Sequence, residues 1–484
     1  MKRSFRSFIA LSLLLPAALR AQQPHYQSHF PAEEFQARWN RIYDEIGDRA
    51  VAIVQGVSLT RGYALPRQSN EFYYLSGIET PGSYLLLDGR TRKATLLLPP
   101  RNEQLERSEG KVLSADDADL VRQLTGADAV VSARAMNEEW LNGLLKAPAP
   151  AIYTLFSPAE GSAESRGELL NANAAIAADY WDGRPSREAH LVSLLRTRAP
   201  RTEVRDLTAI LDEMRSVKSP REIALIRRAS QLAGVGILEA MKSTRAGLYE
   251  YQLDAAARYM FLAGGARLEG YRSITAAGTA HIWNAHYYRN MSQLKDGDLL
   301  LMDFAPDYGY YTSDVTRMWP VNGKYSPVQR ELLQFVLEYR NVVLKLLRPG
   351  VTPAAILEQA RVQMEPVLQR TKFSKPVYEQ AARKLVETGG GVLSHPVGLA
   401  VHDDGRYNRD VLKVGHVFSI DPQLWVPEEM LYIRYEDVIV ITADGYENFT
   451  DFLPSELNDL EKLVGQGGIG LKLQPAADQA LRRR

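Results

Sequence analysis

Two stretches in the second half of the chain carry carboxylates in an arrangement that asks for a cation. In residues 299–321, LLLMDFAPDYGYYTSDVTRMWPV, Asp303 and Asp314 flank the turn-rich Pro306-Asp307-Tyr308-Gly309. A hairpin folded about the bond between Tyr308 and Gly309 sets the two aspartates directly opposite each other, because both lie equally far from that centre. Residues opposite on antiparallel strands share a face, with Cβ atoms ~5 Å apart, and like charges there repel. Residues 299–304 are strongly apolar, so Asp303 reads as a carboxylate in a buried strand, which wants a compensating cation. The alternative is a different register, with both aspartates in solvent. The pattern recurs in residues 416–441, HVFSIDPQLWVPEEMLYIRYEDVIVI, where Asp421 and Glu436 are symmetric about Glu428 and Glu429. Strand alternation puts Arg434 on the face of Glu436, where it reads as a substrate-binding residue, and Asp437 on the other. One such pair is a weak signal; two with matching logic are hard to explain as surface charge.

Between the two stretches, Gly389-Gly390-Gly391-Val392-Leu393-Ser394-His395 leads into an apolar run that ends at His402 and Asp403. Five of the eight histidines, His281, His286, His395, His402 and His416, fall within this half. A single histidine is more often a satisfied polar residue than a ligand. His395 gains weight from its loop, whereas His416 alternates away from Asp421 and reads as structural.

The elements that must position these residues divide into two groups. From Pro31 to about Ala199 the chain alternates helical and extended patterns. Phe35, Trp39, Ile42 and Ile46 fall at helical spacing, and residues 50–54 form a short buried-strand run. Extended segments are expected at 72–76, 84–87 and 94–98, separated by Pro81-Gly82 and Asp88-Gly89 turns. This is an α/β N-terminal domain, assigned to residues 30–199. The polar stretch 198–204, RAPRTEV, reads as a linker. The next domain, residues 205–464, opens with Ser219-Pro220-Arg221-Glu222, a capping box with proline at the first helical position; Ser326-Pro327-Val328-Gln329 repeats that start. Helices and mainly antiparallel strands at 298–304, 311–321, 417–424 and 431–441 make it an α+β domain. The glycine-rich tail, 465–484, is expected to be loose. Its GQGGIG spells GxGxxG but follows no strand, and GxSxG, P-loop and HExxH motifs are absent from the sequence.

A length of 484 residues suits about two to four domains, and the absence of cysteine excludes disulfide scaffolds, thiol nucleophiles and cysteine-held metals. Lysine plus arginine equals aspartate plus glutamate at 58 each, so no global field points to nucleic acid. Lys2, Arg3 and Arg6 precede a short apolar run and small residues ending at Ala21, the anatomy of a secretory signal peptide cleaved after Ala21. Removing residues 1–21, with their four basic and no acidic side chains, leaves a mature charge of −4. The run is well short of the ~20 apolar residues a membrane span needs. Export to the periplasm or medium is therefore expected, with no membrane association after cleavage.

Asp303, Asp314, His395, Asp421 and Glu436 resemble, in order, the metal-ligand set of the pita-bread metallopeptidases, which include methionine aminopeptidase, aminopeptidase P, prolidase and creatinase. The strings SDVTRMWPVNGKYSP, LSHPVGLAVHD and YIRYEDVIVIT are similar to the aminopeptidase P/prolidase branch, as is RQSNEFYYLSGIETPGSYLLLD at 67–88. The resemblance implies a pita-bread catalytic domain holding two divalent ions, with Asp314 and Glu436 bridging them. Four carboxylates balance two such ions, and an oxygen-rich set with one imidazole suits manganese, the expected metal, or cobalt or zinc. Paired ions ~3.5–4 Å apart lower the pKa of water and polarise a carbonyl. His286 and His402 match substrate-contacting positions of the family. The implied activity is a metal-dependent Xaa-Pro aminopeptidase acting on peptides with proline second, as a homo-oligomer. The rivals are an X-Pro dipeptidase and a catalytically silent binding protein. One departure is clear: the fourth ligand in the family is usually glutamate followed by Pro-Gly, whereas this chain has Asp421-Pro422-Gln423.

Overall fold

The computed structural model describes residues 26–58, 67–147, 149–161, 164–405, 407 and 410–472. The signal segment and its cleavage site lie outside the described residues. The periodic apolar stripe forms the helix Ala32–Ile46, in which Phe35, Trp39, Ile42 and Ile46 are all buried. The first sheet contains β1 (Val51–Gln55), β2 (Tyr84–Asp88), β3 (Lys93–Leu98), β4 (Ala129–Ser132), β5 (Ala151–Thr154) and β6 (Glu203–Asp206), in the order β4-β3-β2-β1-β5-β6. β1, β2 and β3 run antiparallel, while β4, β5 and β6 join in parallel. Alternation sends Ala52, Val54, Leu85 and Leu87 to one core and Val51, Ile53 and Leu86 to the other, so both faces are covered.

Two expectations need correction here. Residues 72–76 are not extended but lie in the helix Asn70–Ser76, started by the Ser69 side chain accepting from the Phe72 N–H and stopped by Gly77 at φ 65°. Every residue of that turn is buried, and a short run buried all round has no period to distinguish helix from strand. The supposed linker also carries structure: Glu203 and Val204 belong to β6, the edge strand of the sheet, so the first unit runs past residue 199. Its polarity is that of an edge exposed to water.

In the second half both capping boxes form, opening the helices Pro220–Ser243 and Pro327–Leu346. The helix Glu250–Ala263 packs against the first of these so closely that a Cβ on Gly236 would meet Phe261 Cε1 at 2.4 Å. The strands are β7 (Leu268–Glu269), β8 (Ile274–Ala277), β9 (Leu299–Asp303), β10 (Pro306–Asp307), β11 (Thr316–Pro320), β12 (Leu393–Pro396), β13 (Val417–Ile420), β14 (Gln423–Val426), β15 (Leu431–Arg434), β16 (Asp437–Thr442) and β17 (Gly445–Asn448). They make an antiparallel sheet β11-β9-β8, a second β12-β13-β16-β17, and the hairpin β14-β15. A bridge between Thr316 and Glu436 joins the two sheets. On the far side of that seam, buried Asp437 accepts from Arg317 Nη2 at 2.6 Å and from Arg340 Nε of the helix Pro327–Leu346 at 2.6 Å. Burial works to raise this carboxyl, but the two guanidiniums prevail and hold it at about 2.

The two halves share a core. Leu207, Leu211, Met214, Leu225 and Ile226 pack with the first sheet, and so do Val397, Val417 and Val438 of the second unit. The start of the tail is docked rather than loose: the Gly468 N–H donates to Lys242 O at 3.0 Å and the Gly470 N–H to Ser243 Oγ at 3.1 Å. Its glycines permit close approach to the helix Pro220–Ser243, since a Cβ on Gly468 would lie 2.3 Å from Ser243 Oγ. Residues 473–484 lie outside the described part.

Gly236→Ala is expected to lower unfolding free energy by about 1–3 kcal/mol through overpacking; a thermal melt identical to wild type would refute the close helix contact. Asp437→Ala leaves two buried guanidiniums unpaired and is expected to cost about 3–5 kcal/mol in a urea titration. A change below about 1 kcal/mol would mean that solvent, not Asp437, balances them.

Candidate metal centre

The two carboxylate pairs meet because the strands that carry them share a continuous register. β11 pairs with β9 so that Asp303 faces Thr316 rather than Asp314. The hairpin turns about Gly309 and Tyr310, one bond later than the symmetric guess. Both residues have positive φ, 61° and 75°, as a tight primed turn requires. Tyr310 is an unfavourable residue there, and the first domain holds it in place. Its ring stacks on Tyr73 at 3.5 Å, and its hydroxyl accepts from the Gln68 N–H at 3.0 Å. Moving the turn by one bond moves the pairing by two residues, which preserves the face. Asp314, two residues before Thr316, therefore stays beside Asp303.

Thr316 in turn pairs with Glu436, its N–H donating to Glu436 O at 3.4 Å and its carbonyl oxygen accepting from the Glu436 N–H at 3.1 Å. Across the next gap, Ile420 faces Asp437 and Gln423 faces Arg434. These two ladders have one register, which leaves Asp421 opposite Glu436 and Pro422 opposite Tyr435. Proline has no N–H to donate, so the ladder breaks there while its register continues. Asp303, Thr316, Glu436 and Asp421 thus form one row across four strand segments, all on one face.

The row is buried: none of Asp303, Asp314, Asp421 and Glu436 is more than 2% exposed. Carboxylate oxygens of Asp303, Asp314 and Glu436 lie within 4.8 Å of one another, and a second group of the same size joins Asp314 to His395 and His402. A single guanidinium serves three of the acids. Arg434 reaches Asp303 at 2.5 Å, Asp421 at 2.7 Å and Glu436 at 2.6 Å. Arg434 is 7% exposed, with its donors turned to these acids. Tyr271 donates to Asp303 Oδ1 at 2.5 Å and lies 3.0 Å from Asp314 Oδ1. The Thr316 hydroxyl donates to Glu436 Oε2 at 2.8 Å. His395 Nε2 is 3.2 Å from Asp314 Oδ2.

One cation does not balance four buried carboxylates. Burial pushes the Asp314 and Glu436 carboxyls well above their ordinary range; neighbouring acids add to this and Arg434 opposes it. Burial together with Asp303 and Asp314 also drives the Tyr271 phenol up. Glu436 Oε1 is buried with no hydrogen-bond partner. Closely grouped oxygens, an adjoining imidazole, excess negative charge and an unsatisfied carboxylate oxygen all suit hard or borderline divalent cations. The residues present therefore fit a metal.

Asp421 stands apart. It lies opposite Glu436 but belongs to neither group of ligand atoms, because Arg434 Nε and the Gln423 side-chain amide hold its carboxylate. His395 and His402 are 4.2 Å apart between ring centroids, and His286, which is exposed, lies 6.4 Å beyond His402. The three imidazoles lead from the carboxylates toward solvent. Burial, aided by neighbouring His395, lowers the pKa of His402 to about 4. His416 is buried, and its Nδ1 accepts from the Lys413 N–H at 3.2 Å, a structural contact. His281 stacks on Tyr287 at 4.5 Å.

Sequence reasoning missed Tyr271, which precedes β8 in a polar string without period or spacing to mark it. It also missed the first unit's grip on the histidine loop. Arg215 pairs with Glu160 at 2.6 Å and with Asp403, and Lys218 reaches Asp403 at 2.9 Å. Of these partners only Glu160 belongs to the first unit, so the residue after His402 is tied across the domain boundary through Arg215.

Comparisons with known proteins agree with this architecture. Residues 224–443 match the model of Metallopeptidase family M24, and residues 35–153 that of the Aminopeptidase P, N-terminal domain. The chain is 29% identical to the Xaa-Pro aminopeptidase of Escherichia coli over 90% of its own length and 98% of that protein's. Against the Haemophilus influenzae Xaa-Pro aminopeptidase the values are 28%, 91% and 99%. Among solved structures, zinc-substituted E. coli aminopeptidase P in complex with product superimposes with a TM-score of 0.71 at 27% identity, covering 90% of this chain and 98% of that one. Proline aminopeptidase P II from Yersinia pestis gives 0.72 at 29%, with coverages of 90% and 99%. With both domain models matched in order and the relatives covered end to end, the chain belongs to the M24 metallopeptidases, in their aminopeptidase P branch.

Proposed function

We propose that this protein is an exported, metal-dependent Xaa-Pro aminopeptidase that hydrolyses the bond between an N-terminal residue and a following proline. The observation that carries this reading is the buried row of carboxylates, short of positive charge and bordered by a line of imidazoles. Asp303, Asp314, His395 and Glu436 would hold divalent ions, Asp421 would complete the set, and manganese is the metal we favour. Bound there, such ions supply Lewis-acid polarisation of the scissile carbonyl and a water acidic enough to attack at neutral pH. The protein's own groups do the rest. Tyr271 and Thr316 orient the carboxylates, and Arg434 carries part of their charge. His286 steadies the developing oxyanion by hydrogen bonding, and His402 takes up a proton and hands it to the departing nitrogen. That proton matters for proline, whose nitrogen has no hydrogen before cleavage and leaves poorly without one. The positively charged, apolar start of the sequence supports export, and the family likeness supports a homo-oligomer.

The protein starting at Gln22 should release the first residue of an X-Pro-Y-Z peptide with Mn²⁺ or Co²⁺, but not with a chelator, and should leave X-Ala-Y-Z largely intact. Cleavage of an X-Pro dipeptide alone would make it a dipeptidase. Equal cleavage of the alanine peptide would remove the proline preference. Asp303→Asn should reduce turnover by more than the about 10–100-fold that an outer-shell change costs; retained activity would refute the ligand assignment.

Asp421 is one methylene shorter than the family's glutamate and is held by Arg434 and Gln423. Asp421→Glu is therefore expected to tighten binding of the second ion by roughly tenfold in a calorimetric Mn²⁺ titration. Weaker binding would show that the site is built around the shorter side chain.

A further inference from the structure

The helix Arg166–Ala178 lies between the two segments that match family models, after residue 153 and before residue 224. Only its first turn is tied down. Arg166 is buried and pairs with Glu160 at 3.0 Å, Asp212 at 2.7 Å and Asp404 at 3.3 Å. The rest of the helix projects into solvent, toward Tyr180 and Trp181, which are fully exposed. The anchored turn sits beside His402 and touches it twice. Ser165 Oγ accepts from the His402 backbone N–H at 3.1 Å, and Glu168 Oε1 lies 3.2 Å from His402 Nδ1.

We infer that Glu168 is a positioning residue for His402, setting its tautomer and ring orientation from the opposite domain. The inference rests on the reading of His402 as a site histidine. A carboxylate can only accept, so Nδ1 must carry the hydrogen of the shared bond. In the neutral ring this leaves Nε2 as the free lone pair, able to take a proton and pass it on. The backbone is fixed independently, through Ser165 at His402 itself and through Arg215 and Lys218 at Asp403. With the main chain pinned, ring rotation and the choice of tautomer are the freedoms that remain, and Glu168 addresses both. The Glu168 side chain is 62% exposed, so its contribution is orientation more than binding strength.

The test uses the full mature chain with ¹⁵N-labelled histidine and no added metal. His402 ring signals are assigned by their loss in His402→Gln. Wild type should show the Nδ1–H tautomer. Glu168→Ala, an exposed position in a helix where alanine is well tolerated, should shift the ring to a mixture or to the Nε2–H form. Glu168→Gln keeps an acceptor oxygen and should restore the wild-type pattern. In Mn²⁺-loaded protein, Glu168→Ala should lower kcat about two- to fivefold with KM little changed, the size a solvent-screened contact supports. Glu168→Gln should recover most of that loss. An unchanged tautomer and kcat in Glu168→Ala would overturn the inference, as would Glu168→Gln behaving like Glu168→Ala. Because the tautomer is read without turnover, an inactive wild type would overturn the peptidase reading and still leave this one decided by its own measurement.

Discussion

The structure depends on an imbalance of charge: four carboxylates out of water, facing one guanidinium. Such a group is costly to bury, and the fold tolerates it only because each acid has a defined partner. Arg434 spans three of them, Tyr271 joins Asp303 to Asp314, and Thr316 supports Glu436. What these partners leave over, an excess of negative charge and a bare Glu436 oxygen, is what a divalent ion would satisfy. Asp437, one residue along, shows the contrast. It points the other way, finds two arginines and is fully compensated, so it belongs to the framework and not to the chemistry.

Local devices bring the acids into line. A proline interrupts the ladder at 422 without changing its register, and a turn at Gly309 and Tyr310 sets the pairing of the other hairpin. That second turn is strained at Tyr310, and its support comes from Tyr73 and Gln68 of the first domain. The N-terminal domain thus acts on the site at two removed points, the turn behind Asp303 and the loop that carries His402. Neither contact lies within the strands that hold the carboxylates.

Much of this was legible in the sequence, for physical reasons that differ by residue. Ser219 and Ser326 announced their helices because a capping box is a local, self-contained structure. Asp421 and Glu436 could be paired because their turn is symmetric and the apolar runs around it fix the faces. The Asp303 hairpin was misread by one bond, since the positive φ of Tyr310 depends on the domain packed against it and leaves no local sign. The faces survived the error because the side-chain period is two. Residues 72–76 and 203–204 were misread where burial on all sides erased the helical period and where an edge strand looked like a linker. Tyr271 and Glu168 reach the site from distant segments, so their roles exist only in the folded chain.

The bridge between Thr316 and Glu436 gives the candidate centre a mechanical meaning. Asp303 and Asp314 belong to one sheet and its turn, while His395, Asp421 and Glu436 belong to the strands of the other and their connections, and the backbone bridge joins the two sheets between them. Ions held by both sets would act as rivets across the seam. The unfolded chain offers no such assembled site, so binding free energy would pass directly into tertiary stability. At a free ion concentration one hundred times the dissociation constant this amounts to about 2.7 kcal/mol per site. The same residues would then decide both whether the enzyme turns over and how long its catalytic half stays in one piece.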